Sequence, residues 1–235
     1  MRPLHELMLE TMREERRRLA SRRGFLKGGV KLAAGGTLAL ATFGMPGFSR
    51  LTVRAQDFDD DIDVLNYALT LEHLENAFYR DLGDQFDLGT DAFNQSIGDR
   101  IAAIGEHEAA HVETLTSVIE DLGGTPVEEA EYDFGVTDAA TFLATAAALE
   151  NTGVSAYDGA GQFLESPDLL TAAGTIVAVE ARHASYLNLI TGVLPFPAAF
   201  ETPLTPEEVL EIAGPFIVSD DATPGAGEGE ATPEA

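Results

Sequence analysis

Apolar residues recur every three or four positions from about residue 59 onward, which is the spacing of amphipathic helices rather than of strands. Four long helices are predicted: at about residues 60–82, at 91–122, from about 137 to a break at 165, and at 166–191. A short helix at 206–213 follows. The segments between them are rich in Gly, Pro or acid, as expected where helices end. The pattern therefore predicts an all-α protein.

The connections predict how these helices pack. The loop at 125–136 is long enough to cross over between two helix pairs. The fourth helix opens with Ser166 and Pro167, a capping residue followed by the residue favoured at the first helical position. We therefore expect an antiparallel four-helix bundle with a long crossover and a short C-terminal helix.

The first 55 residues resemble a twin-arginine export signal. Arg22 and Arg23 are followed by Phe-Leu-Lys, then by a weakly apolar, Gly-rich stretch at 28–48 and a small-residue cleavage site that ends at Ala55. The alternative is a membrane anchor that stays attached, but Lys31 and the low apolar density disfavour a spanning helix. The resemblance implies export by the twin-arginine route to a secreted or cell-envelope location, with membrane contact only through the transient signal.

Three segments are therefore expected along the chain: a signal peptide at 1–55, a helical domain at 56–218 and an acidic tail at 219–235. The tail consists of Gly, Pro, Ala, Ser, Thr and acidic residues without large apolar side chains, so it has no means of burying a core. We expect it to be disordered.

Charge divides sharply between the signal and the rest. The chain has 14 basic and 40 acidic residues, of which the signal holds 11 and 4, which leaves 3 minus 36, or −33, for the mature protein. Such a charge excludes attraction to nucleic acid or to anionic lipid, but it concentrates cations. The absence of cysteine excludes disulfides, thiol catalysis and iron–sulfur clusters.

Two of the predicted helices carry Glu-x-x-His, as Glu108 with His111 and as Glu180 with His183. Residues three apart lie about 60° apart around a helix, so both side chains can reach one metal ion. The other two helices each carry a glutamate followed seven residues later by a tyrosine. These pairs are Glu72 with Tyr79 and Glu150 with Tyr157. The order is an internal repeat of a helical hairpin.

Two hairpins related by a pseudo-twofold axis would bring four glutamates and two histidines to the centre of the bundle. The predicted metal ligands are Glu72, Glu108, His111, Glu150, Glu180 and His183. Four carboxylates and two neutral imidazoles suit two iron or manganese ions, and four negative charges offset two divalent cations. If the helices instead held these residues on the surface, the apolar positions beside them, such as Leu71 and Leu115, would be unexplained.

Several segments resemble the ferritin-like domain of desiccation-related and stress-related proteins. They are residues 71–79 (LEHLENAFY), 108–111 (EAAH), 132–135 (YDFG), 150–157 (ENTGVSAY), 179–183 (VEARH) and 196–200 (FPAAF). The resemblance covers nearly all of the chain after the signal. It implies an antiparallel four-helix bundle with a dinuclear metal site, and it implies much less about the reaction.

Four residues are candidates for contact with the ligands rather than with the metal: Glu75, Tyr79, Tyr157 and His107. Glu75 could replace or supplement Glu72, although only Glu72 matches the tyrosine spacing of the third helix. The segment from His107 to His111 also satisfies the H-E-x-x-H pattern of zinc metalloproteases. Position 114 is Thr where one extended form of that pattern needs Gly, and the protease hypothesis leaves the second Glu-x-x-His unexplained.

The expected function is that of an exported protein that binds two iron or manganese ions and reacts with dioxygen or peroxide under stress. No individual catalytic residue follows from the pattern. The alternative is a non-catalytic protective protein in which the acidic surface acts and the metal is structural. A storage cage is not expected, and a homodimer is allowed by the sequence without being required.

Overall fold

The computed structural model describes residues 58–218, so the predicted signal at 1–55 and tail at 219–235 lie outside the described residues. This part of the chain is all-helical. Its helices are α1 (Asp61–Leu82), α2 (Ile97–Asp121), α3 (Ala139–Ala160), α4 (Pro167–Ile190) and α5 (Pro206–Ala213). None of these helices is long and apolar enough to cross a membrane. The predicted fold class is confirmed.

Each long helix begins at a residue whose side chain caps it. Asp60, Ser96, Asp138 and Ser166 each accept a hydrogen bond from a backbone N–H in the first turn of the helix that follows. These bonds satisfy donors that a helix start leaves without a partner. The caps fix where each helix begins, and therefore which residues face the bundle centre.

The predicted start of the second helix at residue 91 is wrong by six residues. The Asp91 carboxylate accepts hydrogen bonds from the N–H groups of Phe93 and Gln95, at 2.8 and 3.0 Å, which closes a turn. Asn94 has a positive φ of 57°, so the backbone cannot be helical there. The helix therefore begins only after Ser96.

The four long helices pair as two hairpins, α1 with α2 and α3 with α4, and α1 also packs against α3. The crossover from α2 to α3 is anchored along α1, where the Asn66 side chain donates to the Thr125 carbonyl and accepts from the Val127 N–H. The helix α5 folds back onto α3, where Leu204 N–H donates to the Ser155 carbonyl at 3.0 Å.

Two clusters of buried apolar residues form the core. One contains Phe78 and Phe142, whose rings stack at 4.9 Å, and the other contains Leu69 and Ile119. On α1, the buried Glu72 lies between buried apolar residues on both sides, such as Leu69 and Phe78. A polar layer therefore crosses the middle of an otherwise apolar bundle.

Candidate metal centre

The polar layer holds all six residues that the sequence pattern brings forward. Glu72, Glu108, Glu150 and Glu180 each have 0% of their surface exposed, and each comes from a different long helix. Burying one ionised carboxylate costs roughly several kcal/mol unless a partner or a cation compensates it. Four such groups in one layer therefore call for positive charge.

The oxygen and nitrogen atoms of these residues form two groups, each with its ligand atoms within 4.8 Å of one another. The first group contains Glu72, Glu108, His111 and Glu180, and the second contains Glu108, Glu150, Glu180 and His183. Glu108 and Glu180 belong to both groups. The Glu-x-x-His glutamates thus lie between the two positions, and Glu72 and Glu150 lie at the outer sides.

Both histidines turn Nδ1 toward the carboxylates. His111 Nδ1 lies 3.1 Å from Glu72 Oε2 and 3.0 Å from Glu108 Oε2. His183 Nδ1 lies 3.0 Å from Glu108 Oε1 and 3.2 Å from Glu150 Oε2. Each imidazole can therefore contribute one nitrogen to the group that also contains its outer glutamate.

Three carboxylate oxygens in this layer are buried without a hydrogen-bond partner: Glu108 Oε1 and both oxygens of Glu180. Glu180 Oε1 does lie 3.1 Å from His111 Nδ1, but the two groups are not aligned for a hydrogen bond. These oxygens belong to the two residues shared between the groups. Buried carboxylate oxygens without hydrogen-bond partners, next to imidazole nitrogens, are the kind of ligands that divalent iron and manganese bind.

The two tyrosines hold the outer glutamates in a crossed pattern. Tyr79 on α1 donates from its hydroxyl to Glu150 Oε1 on α3 at 2.6 Å, and Tyr157 on α3 donates to Glu72 Oε1 on α1 at 2.5 Å. Each hairpin therefore orients the outer glutamate of the other. Hydrogen bonds of this kind leave the second carboxylate oxygen free to face a metal ion.

Burial and mutual repulsion shift the pKa values of these groups. Burial, with the negative charges of neighbouring glutamates, raises the pKa of Glu72 and of Glu180 to about 8, although His111 opposes the rise. Burial alone would lower the pKa of His111, but the adjacent carboxylates of Glu108, Glu180 and Glu72 raise it to about 12. Without a cation, the layer therefore holds protons in place of positive metal charge.

Glu75 is a fifth buried carboxylate in the layer, with 3% of its surface exposed. It belongs to neither group of candidate ligands, so Glu72 rather than Glu75 occupies the position that the tyrosine spacing indicates. Burial first, and then the negative charges of Glu180 and Glu150, raise its pKa well above the usual range. Its carboxylate faces Gly153 on α3, and a Cβ added there would lie 3.0 Å from Glu75 Oε1.

His107 lies exposed on α2 and hydrogen-bonds His183, with 2.9 Å between His107 Nδ1 and His183 Nε2. Their rings stack at 5.1 Å. If His183 binds metal through Nδ1, its Nε2 carries the proton and donates to His107. His107 therefore orients a candidate ligand and belongs to neither group itself.

This geometry does not support a zinc protease. His107 and His111 share no ligand group, and Glu108 is fully buried among carboxylates rather than free to activate water. Glu131 follows His111 by 20 residues, where one class of zinc protease has its third ligand, but its side chain is exposed in the crossover. His73 serves the fold instead, because its Nε2 lies 3.2 Å from the Val127 carbonyl of that crossover.

Sequence reasoning missed the role of Gly153. The signal was present in the repeat, because Gly153 follows Glu150 by the same three residues by which Glu75 follows Glu72. The crossed tyrosine contacts were also missed. Spacing along one helix does not reveal which glutamate of the opposite hairpin a hydroxyl reaches.

Comparison with known proteins identifies the domain. The model of the ferritin-like domain family matches residues 60–193, which include all six candidate ligands. A crystal structure of a conserved hypothetical protein from Mycobacterium tuberculosis is similar at 23% identity and a TM-score of 0.48, over 58% of this chain and 94% of that one. No curated protein matches the sequence.

Proposed function

The chain belongs to the ferritin-like domain family, and on this premise we propose that it binds a dinuclear iron or manganese centre that reacts with dioxygen or peroxide. The proposal extends to an exported protein that acts in stress protection, either by oxidising Fe(II) or by removing peroxide. The observation that carries the metal centre is the sharing of Glu108 and Glu180 between two ligand groups. A carboxylate common to two sites is the ligand that bridges a metal pair.

Each residue of the layer has a defined task in such a centre. Glu108 and Glu180 would bridge, while Glu72 and Glu150 would each close one outer side together with a histidine. Tyr79 and Tyr157 fix the outer carboxylates by hydrogen bonds of 2.6 and 2.5 Å. When bound, the two ions supply redox change and open coordination positions for a small oxidant.

The protein around the layer favours a small, apolar reactant. A cavity of about 40 Å³ lies beside the site, lined almost entirely by apolar side chains such as Leu65, Leu115 and Ile176. Tyr157 also lines it, and its hydroxyl reaches Glu72. This volume accommodates a molecule the size of dioxygen or peroxide, and the apolar lining favours the former.

Export is supported by the twin-arginine pattern at Arg22 and Arg23 and by the net charge of −33 after residue 55. The twin-arginine route carries folded proteins, so a metal can be loaded before the protein meets competing ions outside. A fusion of residues 1–55 to a reporter tests this directly. Export should occur with the native signal and be lost when both arginines are replaced by lysine.

The central test measures metal content and oxygen consumption of purified protein. We expect two iron or manganese ions per chain and oxygen or peroxide consumption on addition of Fe(II) or of peroxide. The variant Glu180→Gln is the matched control, because it removes one shared carboxylate and keeps the side-chain size. The proposal would be contradicted if the native protein held fewer than one ion per chain and showed no turnover with iron, manganese or peroxide.

The acidic surface favours a second candidate, a protective protein in which the metal is structural. A net charge of −33 keeps a chain solvated and soluble where salt or drying concentrates its surroundings. The same measurement separates the two functions. Stoichiometric metal without consumption of oxygen or peroxide supports the second candidate.

A further inference from the structure

Glu75 and Gly153 break the symmetry of the metal layer. They occupy equivalent positions of the two hairpins, three residues after the outer glutamates Glu72 and Glu150. One hairpin thus carries an additional buried carboxylate where the other carries no side chain at all. The two positions face each other across α1 and α3, because a Cβ added at Gly153 would lie 3.0 Å from Glu75 Oε1.

A Cβ added at Gly153 would also lie 3.3 Å from Glu180 Oε2. The carboxylates of Glu75 and of the shared Glu180 therefore converge on one small space that exists because residue 153 is glycine. Glu180 Oε2 is buried without a hydrogen-bond partner. Glu75 is 3% exposed, and no other residue of the 58–218 range donates a hydrogen bond to it.

Two buried carboxylates that face one another without donors need a cation or a proton between them. Their position beside a residue common to both ligand groups indicates a cation. We propose that Glu75 is a seventh ligand of the two-metal centre, which enters through the space left by Gly153. This inference rests on the proposed metal centre and adds a ligand that the hairpin repeat does not contain.

The seventh ligand gives the centre five carboxylates, one more negative charge than two divalent ions carry. An asymmetric fifth carboxylate therefore favours a higher total metal charge than four carboxylates would. It also makes the two metal positions unequal, although the remaining six ligands are matched. The unequal positions should differ in affinity.

The test is a titration with Mn(II), followed by calorimetry and electron paramagnetic resonance, on the full mature chain. We expect two ions in the wild type and, in Glu75→Gln, a second ion that binds at least about tenfold more weakly. Glu75→Asp separates ligation from charge alone, because it keeps the charge but withdraws the carboxylate by about 1.5 Å. A ligand role predicts weakening in both variants.

The variant Gly153→Ala tests the space. Its methyl group should crowd the carboxylates of Glu75 and Glu180, which would lie 3.0 and 3.3 Å from it, and should weaken the same ion. Glu113→Gln, at an exposed position of α2, is the control and should bind like the wild type.

The outcomes distinguish this inference from the proposed function. If the wild type takes up two ions and Glu75→Gln or Glu75→Asp binds both of them equally well, Glu75 is not a ligand, while the proposed two-metal centre stands. A wild type that takes up no second ion overturns both proposals. In a crystal structure of the manganese-loaded protein, a Glu75 oxygen should lie about 2.0–2.6 Å from an ion. A water molecule or protein group between Glu75 and both ions contradicts the inference.

Discussion

The two helical hairpins are alike at every candidate ligand and differ directly beside them. The first hairpin presents Glu72, Glu108 and His111, and the second presents Glu150, Glu180 and His183, with a tyrosine at the same offset in each. The differences fall at neighbouring positions. Position 75 is Glu where its counterpart 153 is Gly, and position 107 is His where its counterpart 179 is Val.

In the proposed centre, the residues that the hairpins share would hold the metal ions, and the residues in which the hairpins differ would make the two ions unequal. Matched residues form the two groups and share Glu108 and Glu180, so they define two positions of similar chemistry. The unmatched His107 contacts a ligand of only one of these positions. His107 reaches His183 at 2.9 Å, whereas the equivalent Val179 offers His111 no hydrogen bond. In the proposed centre, the repeat would therefore account for metal binding, and its exceptions should account for a difference in affinity between the two ions.

The largest loss of metal should come from substitutions of the two glutamates that belong to both ligand groups. Glu108→Gln or Glu180→Gln removes a carboxylate from both groups, so we expect metal content to fall from two ions to fewer than one per chain. Glu72→Gln or Glu150→Gln removes an outer ligand from one group only and should leave about one tightly bound ion. Elemental analysis after dialysis checks this. Equal losses in all four variants would contradict the assignment of shared and outer residues.

The second prediction concerns pH. Glu72 and Glu180 have pKa values near 8 in the folded protein, raised from 4.5, and His183 has one near 10, raised from 6.5. The folded state therefore keeps protons that the unfolded chain releases, so the free energy of unfolding of chelator-treated protein should fall as pH rises from about 5 to 9. Metal binding needs deprotonated ligands, so the rise in melting temperature on adding Mn(II) should grow over the same range.

The control for this pH dependence is the double variant Glu72→Gln with Glu180→Gln. It removes the two carboxyl groups with pKa values near 8 and should flatten the slope between about pH 5 and 8, while the acidic surface stays nearly unchanged. Thermal unfolding in a series of buffers measures both proteins. A native protein whose melting temperature rises with pH after chelation would show that the layer does not hold extra protons.

The crossed tyrosines predict a smaller effect with a distinctive pattern. Tyr79→Phe removes the hydrogen bond to Glu150, and Tyr157→Phe removes the one to Glu72. A hydrogen bond to a charged group contributes about 1.5–3 kcal/mol, so each variant should weaken one ion by about tenfold or more. Tyr79→Phe should affect the ion beside His183, and Tyr157→Phe the ion beside His111. The crossed arrangement would be refuted if each variant instead weakened binding of the ion held by the glutamate of the tyrosine's own helix.

The smallest predicted effect is at His107. His107→Ala should weaken only the ion beside His183, by about tenfold, because it removes a partner that orients the ring. Val179→Ala is the matched control on the other hairpin and should leave both affinities within about threefold of the native values. Competition with a chelator measures the two ions. Equal effects of the two substitutions would remove the distinction between the hairpins.

Much of the fold and the site could be predicted from the sequence, because the signals were periodic. Helical spacing predicted the four helices, and the repeat of Glu…Tyr and Glu-x-x-His predicted which six side chains meet. The early start assigned to α2 was wrong because the Asp91 carboxylate bonds two backbone N–H groups and stabilises a turn instead. A side chain that competes in this way for backbone hydrogen bonds does not change the periodic spacing of apolar residues, so the spacing could not reveal it.

Other features depend on distances between helices, which spacing along a chain does not encode. The pairing of His107 with His183 joins residues 76 positions apart, and Tyr157 reaches Glu72 over 85. The space above Gly153 exists only because α1 and α3 approach each other there. Such contacts arise from packing, so the sequence could suggest candidates without pairing them.

The most direct test of the central claim is anomalous diffraction from crystals of manganese-loaded protein. Two anomalous peaks should lie in the polar layer, about 3.5–4 Å apart, with Glu108 and Glu180 bound to both ions and one histidine bound to each. A single peak in the layer, or manganese bound only at surface carboxylates, would contradict a bridged two-metal centre.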